Sequence, residues 1–179
     1  MEEKIINQRI RMMSALGDLS LARSGMVFLA EAHEDVHYDF EDLRRFRCFE
    51  HAAIISYCRP FTAKGKFPKL GLKQCGINLS EKENELHRRV LRMRDKMVAH
   101  SDEEFMNFTS MILPIDVSQS DLRVPIVRHD EGIYFSKYMD QIEFRELITT
   151  IEFGVYRKLL ETAHKEPEKL NLVKRGSAH

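Results

Sequence analysis

Residues 80–102 constrain the fold most strongly, because they predict a long amphipathic helix with a defined start. Ser80 followed by Glu83 forms a capping box, in which each side chain bonds the backbone N–H of the other residue. The apolar side chains then recur at helical spacing, so one face of the helix is expected to lie against a core. This apolar stripe consists of Leu86, Val90, Met93 and Met97.

Three other segments have helical periodicity. The second predicted helix should stop before Pro60, because the residue that precedes a proline disfavours the α conformation. Gly17 and Asp18 mark a weak spot at which the first helix is expected to kink or break. The sequence therefore predicts helices at residues 2–34, 39–57 and 139–163, with a loop at 60–79.

Short β-prone runs lie between the capped helix and the last one. Residues 123–128 and 133–135 flank the turn sequence His129-Asp130-Glu131-Gly132, a pattern typical of a hairpin. Residues 106–115 are a candidate for a third short strand, against which Pro114 counts. The predicted fold class is mainly α, an antiparallel helical bundle with a small β-hairpin insertion before the C-terminal helix. We expect a single domain at 1–165, a β excursion at about 106–136 and a flexible C-terminal tail at 166–179.

Composition indicates an ordinary soluble domain. The 28 basic and 28 acidic residues cancel, so net charge gives no general attraction to nucleic acid. No run approaches the roughly 18 apolar residues of a membrane-spanning helix, and acidic Glu2 and Glu3 are atypical of a signal peptide, so a cytoplasmic location is expected. The three cysteines lack metal-ligand spacing and are expected to be reduced, buried, small hydrophobic residues.

Charge is distributed unevenly along the chain. Residues 51–80 contain no aspartate or glutamate, yet they hold several cations. Arg59, Lys64 and Lys66 are candidates for a phosphate- or RNA-binding surface, a hypothesis that rests on charge alone. The alternative is that these cations, with Lys69 and Lys73, simply solvate a long loop.

The wheel of the capped helix places two polar residues within its apolar arc, His87 and Arg94. A buried, unpaired guanidinium is costly, so Arg94 should bind an anion or form a structural ion pair within the bundle or at a dimer seam. His100 lies roughly 120° from Arg94 at about 100° per residue, so the two side chains meet only if the last turn distorts or a second copy contributes. A surface or capping role for His100 is the alternative.

The run Arg94-Asp95-Lys96-Met97-Val98-Ala99-His100-Ser101-Asp102 resembles the Arg-polar-x-His motif of the HEPN superfamily, helical domains that include bacterial ribonuclease toxins and anti-phage effectors. Residues 57–65 and Leu86-His87 look like a set found with this motif in an abortive-infection branch of uncharacterised bacterial proteins. The similarity covers about residues 40–102. Asp102 stands where one toxin subgroup has a tyrosine that accepts a modifying nucleotide, so that form of regulation is not expected here.

The resemblance implies a homodimer in which two motifs line one cleft, and RNA cleavage that needs no metal or other cofactor. His100 would be the general acid or base, Arg94 would hold the phosphate and Asp95 would orient them. RNA and an antitoxin or other protein are the implied partners, in a toxin or phage-defence context. The competing hypothesis is a noncatalytic helical dimer that binds nucleic acid or protein.

Metal chemistry has weaker support in the sequence. His33 and His37 are spaced as two ligands on one helical face, but no HExxH motif accompanies them. Such a pair is more often a solvated helix end, and no metal site is predicted.

Overall fold

The computed structural model describes residues 2–33, 35–63, 67–99, 108–117, 120–129 and 133–170. These residues form four long helices, two strands and three short 3-10 helices. The long helices are α1 (Glu2–Leu29), α2 (Phe40–Cys58), α3 (Glu81–Ala99) and α4 (Tyr138–Lys165), and the strands are β1 (Phe108–Val117) and β2 (Ser120–His129). The 3-10 helices are Arg59–Phe61, Lys73–Cys75 and Pro167–Leu170.

The long helices pack as a bundle, which confirms the predicted mainly helical architecture at that level. α1 lies against both α2 and α4. Two ion pairs show that α1 and α4 run antiparallel: Arg23 pairs with Glu152 at 3.0 Å, and Arg9, earlier in the chain, pairs with Glu166 at 2.9 Å, just past the end of α4.

Aromatic rings occupy the centre of the bundle. Phe144 of α4 stacks on Phe135 with centroids 4.9 Å apart and meets Tyr57 of α2 edge-on at 5.1 Å. All three side chains are at most 1% exposed. Edge-to-face and offset-stacked pairs stabilise a core beyond the area that they bury.

Helix starts follow their local signals. The Asp39 carboxylate accepts the backbone N–H of Asp42 at 2.8 Å and caps α2. At α3 the Glu83 carboxylate accepts the Ser80 N–H at 2.8 Å and the Ser80 hydroxyl accepts the Glu83 N–H at 3.3 Å, which confirms the capping box. The expected break at Gly17 is wrong, because α1 continues through it to Leu29. Tertiary packing of α1 outweighs the low helix propensity of a single glycine.

Alanine substitutions at two glycines of α1 are expected to change stability in opposite directions. A Cβ at Gly25 would lie 2.8 Å from the Phe49 carbonyl oxygen of α2, whereas a Cβ at Gly17 would meet nothing within 4 Å. We expect Gly25→Ala to lower the free energy of unfolding by about 2 kcal/mol through overpacking. Gly17→Ala should raise it by about 1 kcal/mol through helix propensity. Urea unfolding of both variants checks this, and an equal effect at the two sites would contradict the close helix contact.

The strand pairing differs from the predicted one. β1 pairs antiparallel with β2, with Phe108 opposite His129 and Val117 opposite Ser120. Residues 133–135, expected as a strand after the turn at 129–132, lie instead in a turn before α4. The reason is that this segment packs into the helical bundle. Phe135 is 1% exposed, and its N–H donates to the Glu50 carboxylate at 2.7 Å.

The segment after α4 stays close to the bundle. Glu166 pairs with Arg9, Pro167–Leu170 forms a 3-10 helix, and Leu170 packs against the core. The expected flexible tail therefore includes at least five ordered residues at its start. Residues 171–179 lie outside the described part of the chain.

Candidate functional site

His87 of α3 faces a cluster of rings at the junction with α2. Its Nδ1 lies 2.7 Å from the Tyr57 hydroxyl oxygen, and its ring meets Phe61 edge-on with centroids 4.6 Å apart. Burial lowers the pKa of His87 below 6.5 and raises that of Tyr57 well above 10. Both groups are therefore neutral near pH 7, and the predicted position of His87 within the apolar arc is confirmed.

Arg94 lies two turns further along the same face of α3. Its side chain is half-buried, at 31% exposure, and its Nη1 lies 2.6 Å from the carboxylate of the adjacent Asp95. The Asp95 side chain is 70% exposed. An exposed pair of this kind contributes little to stability, about 0 to 1 kcal/mol. The guanidinium thus has a weakly stabilising, solvent-facing ion-pair partner.

Cys58 lies beneath this face and is not a nucleophile. Its Sγ donates to the Val90 carbonyl oxygen at 3.7 Å, and burial raises the pKa of the thiol to about 12 although Arg94 opposes the shift. Cys75 is also buried, and neither Cys58 nor Cys75 forms a disulfide. Cys48 is exposed, so the expectation that all three cysteines are buried is wrong for that one.

The remaining predicted site residues are only partly described. His100, Lys64 and Lys66 lie outside the described residues, so the distance from Arg94 to His100 stays a prediction. Arg59 is exposed and pairs with Asp18 of α1 at 3.3 Å. Its guanidinium therefore lies at the α1 side of the bundle with a carboxylate partner, and it is not among the residues that line the cavity beside His87.

A cavity of about 670 Å³ opens beside His87 between α3 and the loop that joins α2 to α3, and we call it the α3 cavity. Its volume lies within the usual range for small-molecule sites. The loop contributes most of the acid-free stretch recognised in the sequence, and none of the described lining residues is acidic. Apolar side chains that include Phe61, Leu70, Ile77 and Leu91 line it together with Lys69 and Lys73.

A buried arginine fixes the loop that forms this cavity. Arg11 of α1 is 9% exposed, its Nε donates to the Pro68 carbonyl oxygen at 2.8 Å, and its Nη2 donates to the Thr62 carbonyl oxygen at 3.1 Å. The guanidinium also lies 5.9 Å from the centre of the Phe67 ring. One cation therefore satisfies two backbone acceptors of a loop that has little regular structure.

Sequence reasoning missed Glu50, the one fully buried carboxyl among the described residues. Glu50 is 0% exposed, and its Oε1 accepts the Phe135 N–H while Oε2 has no partner within the described structure. Gln141 donates to the Phe135 carbonyl oxygen at 2.9 Å. Burial raises the pKa of Glu50 to about 7. The signal was present in the helical spacing of Phe46, Glu50 and Ala53, which share one face of α2.

No group of three or more histidine, cysteine, aspartate or glutamate side chains within the described residues could hold a metal ion. His33 and His37 are both exposed in the connection that follows α1. In the described part of the chain, no helix has the length and apolar character to cross a membrane.

Comparison with known proteins gives no relative: no family model matches this chain, and neither the curated proteins nor the solved structures contain a match. The described residues define the class of the protein as a mainly helical bundle.

Proposed function

We propose that this chain is a metal-independent endoribonuclease that cleaves RNA with Arg94, Asp95 and His100. The observation that supports the proposal best is the half-exposed Arg94 guanidinium near the C-terminal end of α3. It lies on the helix face of His87 and Leu91, which line a cavity without described acidic groups. An arginine in this position presents donors that match phosphate oxygens.

The proposed chemistry is an internal transfer of the phosphate ester. The ribose 2′-hydroxyl attacks the adjacent phosphorus, the new O–P bond forms, and the bond from phosphorus to the 5′ oxygen breaks. His100 accepts the proton of the 2′-hydroxyl, and the imidazolium of a second copy donates a proton to the leaving 5′ oxygen. Arg94 stabilises the charge that develops on the phosphate, and Asp95, 2.6 Å away, orients the guanidinium. The products carry a 2′,3′-cyclic phosphate and a 5′-hydroxyl.

In this proposal the active form is a homodimer, because one helix does not bring its own Arg94 and His100 together in ideal geometry. A toxin or phage-defence role, with an antitoxin or other protein as regulator, belongs to the same proposal. The proposal as a whole is supported by the motif at residues 94–102 and by the acid-free stretch at 51–80.

A second candidate is a noncatalytic helical module that binds nucleic acid or protein. The observation that favours it is the occupied guanidinium of Arg94, which the Asp95 carboxylate already contacts. In that case Arg94 contributes to a surface and has no reacting group to stabilise.

The test is incubation of the purified full chain with mixed RNA in the presence of EDTA, followed by analysis of the RNA ends. We expect 2′,3′-cyclic phosphate ends, and a rate that falls at least about 100-fold in His100→Ala and in Arg94→Ala, because each variant removes a group needed in the transition state. Size-exclusion chromatography of the same samples measures whether the active species is a dimer.

Exposed residues of the same types serve as controls. Arg92 is exposed on α3, and His164 is exposed in the last turn of α4. Arg92→Ala and His164→Ala should retain cleavage. Cleavage that survives both motif variants would contradict the proposal, and RNA binding without any cleavage would establish the second candidate in its place.

A further inference from the structure

We propose that the α3 cavity binds a small organic anion, a molecule with an apolar body that carries a carboxylate or phosphate group. This inference does not rest on RNA cleavage, because none of Arg94, Asp95 and His100 is among the described residues that line the cavity. It goes beyond the proposed ribonuclease in assigning a second site and a ligand class.

The apolar part of the ligand is inferred from the cavity wall. Six of the described lining side chains are apolar and come from both sides of the opening, the loop and α3. Leu70 and Ile77, at 7% and 5% exposure, also belong to the hydrophobic core, so the cavity wall is continuous with it. These six side chains are Phe61, Leu70, Leu72, Ile77, Leu79 and Leu91. An apolar body that displaces water from such a wall gains roughly 25 cal/mol for each Å² that it covers.

The charge of the ligand is inferred from the cations of the same wall. Lys69 and Lys73 are exposed, and neither ammonium group takes part in an ion pair or hydrogen bond found among the described residues. No described acidic side chain lines the cavity to neutralise them. Two ammonium groups at the rim of an apolar cavity attract an anion and repel a cation.

His87 supplies a directed hydrogen-bond donor. The Tyr57 hydroxyl is buried, and its hydrogen needs an acceptor, for which His87 Nδ1 at 2.7 Å is the candidate that the described residues offer. If Tyr57 donates to Nδ1, the proton of the neutral imidazole is on Nε2. In the proposed complex, Nε2 of His87, a lining residue, therefore donates to a ligand oxygen.

The experiment uses the full chain and isothermal titration with three matched probes: naphthoate, naphthyl phosphate and the uncharged naphthalenemethanol. We expect one-to-one binding of both anions, tighter than that of the alcohol. Lys69→Ala combined with Lys73→Ala should weaken both anions about tenfold and leave the alcohol unchanged, since exposed charge pairs contribute up to about 1 kcal/mol each. The matched control, Lys4→Ala combined with Lys137→Ala, removes two exposed lysines that do not line the cavity.

A third variant locates the binding. Leu72→Trp adds volume at a half-buried lining position and should abolish binding of all three probes. Equal affinity for the anions and the alcohol, or no effect of the lysine changes, would overturn the assignment of charge. Displacement of naphthoate by inorganic phosphate at equal concentration would overturn the apolar body, and the absence of any binding would overturn the site. RNA cleavage by the same preparations is measured separately. The ribonuclease proposal and the anion-binding proposal can therefore fail independently of each other.

Discussion

Replacing Phe144 by alanine is expected to lower the free energy of unfolding by about 4 kcal/mol, the largest single effect on stability predicted for this chain. Phe144 is 0% exposed, and its ring contacts those of Phe135 and Tyr57. Truncation removes the transfer energy of the ring, leaves a cavity at the centre of the bundle and ends both aromatic contacts. The loss should therefore exceed that of an ordinary leucine truncation.

Phe153 is the matched control, because it lies on the same helix and is 64% exposed. Phe153→Ala should change the free energy of unfolding by less than about 1 kcal/mol. Urea unfolding followed by circular dichroism measures both variants, with the midpoint shifted and the slope unchanged. Similar losses in the two variants would show that the ring cluster does not form the core.

Glu50→Gln is expected to stabilise the protein by about 3 kcal/mol near pH 8 and to have almost no effect below about pH 4. The folded carboxyl has its pKa raised to about 7 by burial, against an ordinary value of 4.5. Above the folded pKa the native state holds a buried charge that the unfolded state leaves in water. The amide keeps an oxygen for the Phe135 N–H and never ionises.

The direction of this pH dependence follows from the protons that Glu50 binds in the folded and unfolded states. Between about pH 4.5 and 7 the native state binds more protons at Glu50 than the unfolded state does, so the stability that this group provides is complete below 4.5 and is lost as pH rises through 7. Urea unfolding of both proteins at several pH values gives the difference between them, in which other titrating groups cancel. A difference that stays constant across this interval would contradict the raised pKa.

The helical framework was predictable because its signals are local. Asp39 and Ser80 begin helices through their own side chains, and the predicted last helix, 139–163, differs from α4 by one residue at the start and two at the end. Gly17 was misread because propensity counts a glycine against a helix wherever it occurs. Packing of α1 against α2 and α4 keeps the helix continuous through Gly17, and contacts between helices are not visible in a single sequence.

The pairing of the strands could not be predicted from the turn composition of residues 129–132. The chain at 129–132 has the composition of a turn, yet residues 133–135 belong to the bundle. Glu50, 85 positions from Phe135 in sequence, accepts its N–H and fixes that outcome. A contact over such a distance leaves no periodic trace. The burial of Glu50 itself could have been suspected from its place on the apolar face of α2.

The candidate site was predictable in part. The wheel of α3 indicated that His87 and Arg94 leave the solvated face, and both are half-buried. It did not indicate Tyr57 as the partner of His87, because that contact joins two helices across a loop. The cavity was not predicted for the same reason, because its wall joins α3 to a loop that is distant in sequence. The lack of acidic residues in that loop was visible in the sequence, and it indicated an anion-binding surface but no cavity.

The way in which Arg11 holds the cavity loop bears on how such a protein can diversify. Arg11 binds the carbonyl oxygens of Thr62 and Pro68, groups that every amino acid possesses. Substitution at either position leaves an acceptor in place, so the anchor survives changes in the side chains around it. The shape of the loop thus depends on a side chain of α1, whereas its surface chemistry depends on the loop's own side chains, so the surface can change while this anchor stays in place.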